Sequence, residues 1–148
     1  MPPHRPTHVQ KKHHGDHDLI VGRLEQYIKA YRTGKPEAMM EFYHPDNFIY
    51  SDFSADRHGL GHKEVKDTYK KTFSNFHDLE IRTMSVHGHK DFTAWEWEIT
   101  FKPAVDNDTG ARIAKEDAVP KMLVGCTLMW WEGGKIVRNH DYVQTRDV

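Results

Sequence analysis

The spacing of hydrophobic positions changes along this chain: steps of three and four dominate the first half, alternation the second. Ile20, Leu24, Tyr27, Ile28 and Tyr31 recur at helical spacing, which predicts a first helix capped by Asp16 and stopped by Gly34. Pro36 suits the first turn of a short second helix, PEAMMEFY, which ends near His44 because the residue before Pro45 avoids helical geometry. NFIYSDF, residues 47–53, alternates as a strand, with Phe48, Tyr50 and Asp52 on one face and Ile49, Ser51 and Phe53 on the other. After a glycine-containing loop, Val65, Tyr69, Phe73 and Phe76 mark a third helix.

Everything after that helix is strand-like. DLEIRTMSV, DFTAWEWEITFKP, AVPKMLVGCTLMWW and GKIVRNHDYV are separated by a turn at Gly88, a polar loop at 105–117 and the turn EGG. Trp95, Trp97, Ile99 and Phe101 share one face of the second of these strands, opposite Glu96, Glu98 and Thr100. Gly125 interrupts a long strand where such a strand bends. The expected fold is α+β: a strongly curved antiparallel sheet closed over by three helices.

Composition narrows the setting. The 148 residues fit one domain. A formal charge of −1, with basic and acidic residues interspersed, offers no stripe for nucleic acid and no polybasic membrane patch. Cys126 is the single cysteine, so no internal disulfide forms, and no apolar run long enough for a signal peptide or membrane span is present. The expectation is a cytoplasmic protein. Residues 1–15, rich in proline and histidine, predict a disordered tail ahead of a domain at 16–148. His4, His8, His13, His14 and His17 lack the rigid spacing of a metal site.

The last strand, in GGKIVRNHDYV, places Asn139, His140 and Asp141 among residues that favour burial. This segment at the end, HPD before the first strand, and the order of elements together resemble the nuclear transport factor two-like superfamily over residues 16–145. Within it they resemble the SnoaL-like polyketide cyclases. The resemblance implies a cone-shaped, cystatin-like α+β barrel with an enclosed pocket, and a homodimer formed through the outer sheet face. The superfamily includes cyclases, ketosteroid isomerase, scytalone dehydratase, limonene epoxide hydrolase and proteins without catalysis, so the fold alone leaves the reaction open.

By the same resemblance Asp141 matches an inward-pointing acid. Alternation then sets Val137, Asn139 and Val143 inside with it, and Ile136, Arg138, His140 and Tyr142 outside. Tyr50 and Asp52 match a Tyr and an Asn that hold a water in limonene epoxide hydrolase. That enzyme's Arg and second Asp are replaced here by Trp97 and Ile99. Tyr27 resembles the oxyanion-binding Tyr of ketosteroid isomerase, and Tyr31 a Tyr of scytalone dehydratase.

The candidate chemistry is proton transfer. An acid in apolar surroundings has a raised pKa and exchanges protons; the alternative for Asp141 is a structural carboxylate bonded to its neighbours. Asp52 would share the pocket as a second acid, or cap the following loop. Tyr50 would donate to a developing oxyanion, or sit in the core with its hydroxyl at water. Asn139, Tyr27, Tyr31, Trp95, Trp97, Phe48 and Met129 are expected to line the substrate pocket. His58 is the histidine expected nearest the pocket mouth. No phosphate loop or clustered metal ligands argue for a cofactor or metal. The expected function is a cofactor-free lyase or isomerase of secondary metabolism. It would act on an apolar, oxygenated small molecule such as a polyketide or terpenoid, by cyclisation, dehydration or isomerisation. An epoxide hydrolase, or a non-catalytic binding or dimerisation domain, is the alternative.

Overall fold

A computed structural model describes the backbone of residues 14–148 and the side chains from Asp16 onward. Residues 1–13 of the expected tail, with His4, His8 and His13, fall outside that description, whereas the backbone of its last two residues, His14 and Gly15, is helical. Helix α1 (His14–Arg32) begins two residues before its expected cap. Asp16 lies within its first turn, and its carboxylate accepts the Lys90 backbone N–H at 3.4 Å. The predicted spacing forms the buried stripe Ile20, Leu24, Tyr27 and Tyr31, and Gly34 ends the helix in the left-handed region at φ +67°.

Helix α2 (Pro36–Met40) buries Met39 and Met40. Helix α3 (His62–Asn75) opens with the Glu64 carboxylate accepting the Gly61 N–H at 3.1 Å and buries Val65 and Tyr69. Phe76, expected at the end of this helix, is the first residue of a strand instead.

Six strands form the sheet: β1 (Ile49–Asp52), β2 (Arg57–Leu60), β3 (Phe76–His89), β4 (Phe92–Pro103), β5 (Lys121–Glu132) and β6 (Lys135–Asp147). Their order is β2-β1-β6-β5-β4-β3. β2 lies where the sequence predicts a loop; its RHGL carries no apolar alternation because it is an edge with almost nothing to bury. β1 runs parallel to β6, so the sheet is mixed rather than purely antiparallel. Parallel pairing needs a long connection, and α3 with the four intervening strands supplies it.

β6 contains the largest departure from simple alternation. Trp131 faces Ile136 but Trp130 faces Arg138, which leaves Val137 as an extra residue in a β-bulge. Ile136, expected outside, is therefore fully buried, and its backbone bonds to Phe42 and His44 beyond α2. After the bulge the expected parity holds, with Asn139 inside and Tyr142 exposed.

The helices cover one sheet face, and the other carries an open aromatic cluster. Phe53 stacks on Tyr142 at 4.9 Å and meets His140 and His58 edge-on, while His140 also abuts Trp130. His58 belongs to this outer cluster, paired with Asp56 at 2.8 Å, and not to a pocket mouth. His77 is half-buried on β3 and bonds the Ile113 carbonyl at 2.7 Å.

Candidate active site

Strand register decides which side chains meet under the helices. β1 sets Asp52 beside Asp141, and β5 sets Thr127 on Asp141's other side, with Trp95 next in the row on β4. One step along lie Tyr50 and Asn139. Asp141, Tyr50, Asp52 and Thr127 line a cavity of about 200 Å³. Val65, Phe76, Ile81, Ile99, Leu123 and Val143 supply apolar wall.

Both oxygens of Asp141 are engaged. Oδ1 accepts the Thr127 hydroxyl at 2.8 Å and the Asn139 side-chain N–H at 2.9 Å; Oδ2 accepts the Tyr50 hydroxyl. Thr127 Oγ1 itself accepts the indole N–H of Trp97 at 2.8 Å. Burial raises the Asp141 carboxyl above its ordinary 3.8. The three donors oppose that shift without cancelling it, and nearby Asp52 adds to it. Burial and the charge of Asp141 likewise push the Tyr50 hydroxyl well above 10, so Tyr50 acts as a neutral donor.

The six-membered ring of the Trp97 indole lies against Gly125. A Cβ at position 125 would come within 2.4 Å of the ring, so this glycine makes room for the cavity wall; it does not interrupt β5 as expected, pairing regularly with Trp97 and Val143.

A second polar cluster descends from the helices. The Tyr69 hydroxyl contacts those of Tyr27 at 2.5 Å and Tyr43 at 2.6 Å. Three hydroxyls carry three protons but form two mutual bonds, which leaves one proton free to donate outward. Tyr27 and Tyr69 line the cavity, whereas Tyr43 does not. When Tyr43 donates to Tyr69 and Tyr69 to Tyr27, the remaining proton belongs to Tyr27, at the cavity. Burial raises all three hydroxyls above their ordinary range and keeps them neutral.

Asp52 takes the structural part expected of it as an alternative. Its Oδ1 accepts the backbone N–H groups of Ser54 and Ala55 at 3.0 and 3.1 Å, closing the turn after β1. Of the residues expected to line a pocket, Tyr27, Tyr31, Trp95 and Trp97 do so. Asn139, 1% exposed, braces Asp141 from behind. Phe48 and Met129 lie off the cavity wall: Phe48 packs on Tyr43 at 5.0 Å, and Met129 is fully buried in the core. Sequence reasoning missed Thr127, Tyr43 and the site position of Tyr69. The available signal for Tyr69 was its place one turn after Val65 on the buried stripe of α3.

Similarity to known proteins agrees with this architecture. The family model described as SnoaL-like domain matches residues 24–139. A protein named cyclase aurE from Calcarisporium arbuscula is 32% identical over 127 residues, covering 84% of this chain and 87% of that one. Among solved structures, the epoxide hydrolase/cyclase-like enzyme SalBIII, described in pyran ring formation in the polyether salinomycin, superposes with a TM-score of 0.67. It is 11% identical, with 87% of this chain and 93% of that one covered. A protein of ketosteroid isomerase-like fold from Catenulispora acidiphila, in complex with trimethylamine, gives 0.62 at 16% identity, with 81% and 83% covered. These two show the shared fold, and the family match together with the 32% identical relative shows more: the chain belongs to the SnoaL-like family.

Proposed function

We propose that this protein is an enzyme that closes or rearranges a ring on a neutral, largely apolar, oxygenated small molecule, such as a polyketide or terpenoid. The reaction uses acid/base chemistry alone, as an isomerase or lyase. The observation that carries this reading is the Asp141 carboxyl, raised by burial and bonded to the Tyr50 hydroxyl inside an apolar-walled cavity. A naming relative that is a cyclase supports it. Ring closure by addition is redox-neutral, so the proton inventory of the site suffices. In its charged form Asp141 takes a proton from the attacking hydroxyl or enol; the new ring bond forms, and the proton returns to the oxygen that gains electron density. Tyr27, at the end of its hydroxyl chain, donates to that oxygen while charge develops on it.

Cavity size limits what enters. About 200 Å³ lies below the roughly 300–1,000 Å³ of sites that enclose drug-sized ligands, so a compact molecule, or the reacting end of a longer one, fits. No Lys, Arg or His lines the cavity among the described residues, which suits an uncharged substrate. Dehydration and isomerisation would use the same pair of groups. Epoxide hydrolysis fits less well, because Asp52 closes a turn and Trp97 and Ile99 stand where the resemblance requires an Arg and an Asp. On the outer face, the Phe53–Tyr142 stack suits a homodimer interface.

The test supplies the purified protein, without added cofactor, with neutral hydroxy-enones and hydroxy-epoxides of graded length. Products are followed by chromatography and mass spectrometry. Cyclised product of unchanged mass supports the proposal; turnover only to diols of added water mass, or no turnover across the series, overturns it.

A further inference from the structure

We infer that Thr127 is a positioning residue that reserves one oxygen of Asp141, Oδ2, for proton exchange and directs that exchange through Tyr50. The inference deepens the proposed acid/base function and rests on that reading of the site. It begins from donors and acceptors. An indole nitrogen only donates, so the Trp97 N–H occupies one lone pair of Thr127 Oγ1 and leaves the Thr127 hydrogen for Asp141 Oδ1, 2.8 Å away. The Asn139 side-chain nitrogen, also donor-only, meets the same oxygen at 2.9 Å. Oδ1 therefore faces two donors. A proton placed on it would turn the Thr127 hydrogen away from its acceptor and set an O–H against the Asn139 N–H.

Oδ2 has different company. Its partner is a hydroxyl, which both donates and accepts. With Asp141 charged, Tyr50 donates to Oδ2. With Asp141 neutral, the proton on Oδ2 donates to the Tyr50 oxygen, and the Tyr50 hydrogen turns to the cavity that both groups line. The exchange balances without any other reactant: a substrate proton passes to the Tyr50 oxygen as the Tyr50 hydrogen passes to Oδ2, so two O–H bonds form and two bonds to hydrogen break. One negative charge moves from Asp141 to the substrate, and Tyr50 is neutral before and after. The return step runs in reverse. Thr127 touches no substrate atom in this scheme; it acts through Asp141, and Trp97 acts through Thr127.

The experiment needs no substrate. Protein labelled with carbon-13 at aspartate carboxyls is titrated by NMR, with Asp141 assigned by its loss in Asp141→Asn. Thr127→Val removes one donor to the charged form, and the Asp141 midpoint should rise by roughly one to two pH units, the effect of losing a hydrogen bond to a charged group. Thr127→Ser keeps the hydroxyl and should stay within about 0.3 unit of the parent. Trp97→Phe, which frees Thr127 to rotate, should move the midpoint in the same direction by less. Melting temperatures of each variant identify any that fail to fold, and if Thr127→Val does not fold, the shift in Trp97→Phe against an unshifted Thr127→Ser carries the test. An unchanged midpoint in Thr127→Val, or an equal shift in Thr127→Ser, overturns the inference. Because the titration is read without turnover, a shifted midpoint beside absent cyclisation would fail the proposed reaction and leave the positioning role standing.

Discussion

The two faces of β6 carry similar residue types put to different use. On the inner face Asn139 and Asp141 are enclosed, and both oxygens of the Asp141 carboxylate have designated donors. On the outer face Tyr142 stacks on Phe53 while His140 meets Phe53 and Trp130 edge-on, and partial burial with the positive charge of Arg138 lowers the His140 pKa. A titratable group sits on each side, one residue apart. Enclosure makes the difference: the inner acid is shifted toward neutrality by loss of water and is held by donors of fixed sense, whereas the outer imidazole meets aromatic edges that impose no proton direction.

The sharpest break of this contrast is Asp141→Asn. The amide fits the same frame, its oxygen accepting from Thr127 and Asn139 and its N–H donating to Tyr50, so the fold persists while turnover falls by about a hundredfold or more. The pH dependence carries a sign. Above 3.8 the unfolded chain releases a proton that folded Asp141 still binds. Stability due to this group therefore falls as pH rises through the window from 3.8 to the raised native value, and is level beyond it. Asp141→Asn removes that slope, so calorimetry should find its melting temperature gaining on the parent as pH rises across the window.

A smaller effect comes from the wall. Gly125→Ala drives a methyl into the Trp97 ring and should cost about 1–3 kcal/mol, seen as a melting temperature lower by about 3–10 °C. Turnover should fall with it, since displaced Trp97 releases Thr127. The smallest effect on the cavity belongs to His140→Asn, on the outer face. Turnover should stay within about threefold, and light scattering should report any change in self-association of the outer face. Loss of turnover in His140→Asn with Asp141→Asn fully active would reverse the assignment of faces.

Much of this was legible in the sequence, for identifiable reasons. Alternation through Trp95, Trp97, Ile99 and Phe101 names the buried face of β4 because one side of that strand meets the helices and the other meets water. Asp141 and Tyr50 were reached from the resemblance, and the structure brings their side chains together. Thr127 was hidden by one residue. Counting back across the Gly133–Gly134 turn in regular register sets Cys126 opposite Asp141, and only the bulge at Val137 brings Thr127 there. Tyr43 was hidden because helical spacing in a short helix says nothing of a hydroxyl meeting Tyr69 from another element. β2 gave no signal, since an edge strand that buries little needs no pattern.

The extra residue at Val137 works on β6 as a frameshift works on a reading frame. Upstream of it the inward letter is Ile136, which belongs to the core around Phe42 and Tyr43; downstream the inward letters are Asn139, which braces the acid, and Asp141 and Val143, which line the cavity. The downstream frame is pinned by two neighbours, β1 and β5, over the residues that hold the acid. One continuous strand thus encodes two messages: substitutions before the bulge are read by the core, and those after it by the cavity.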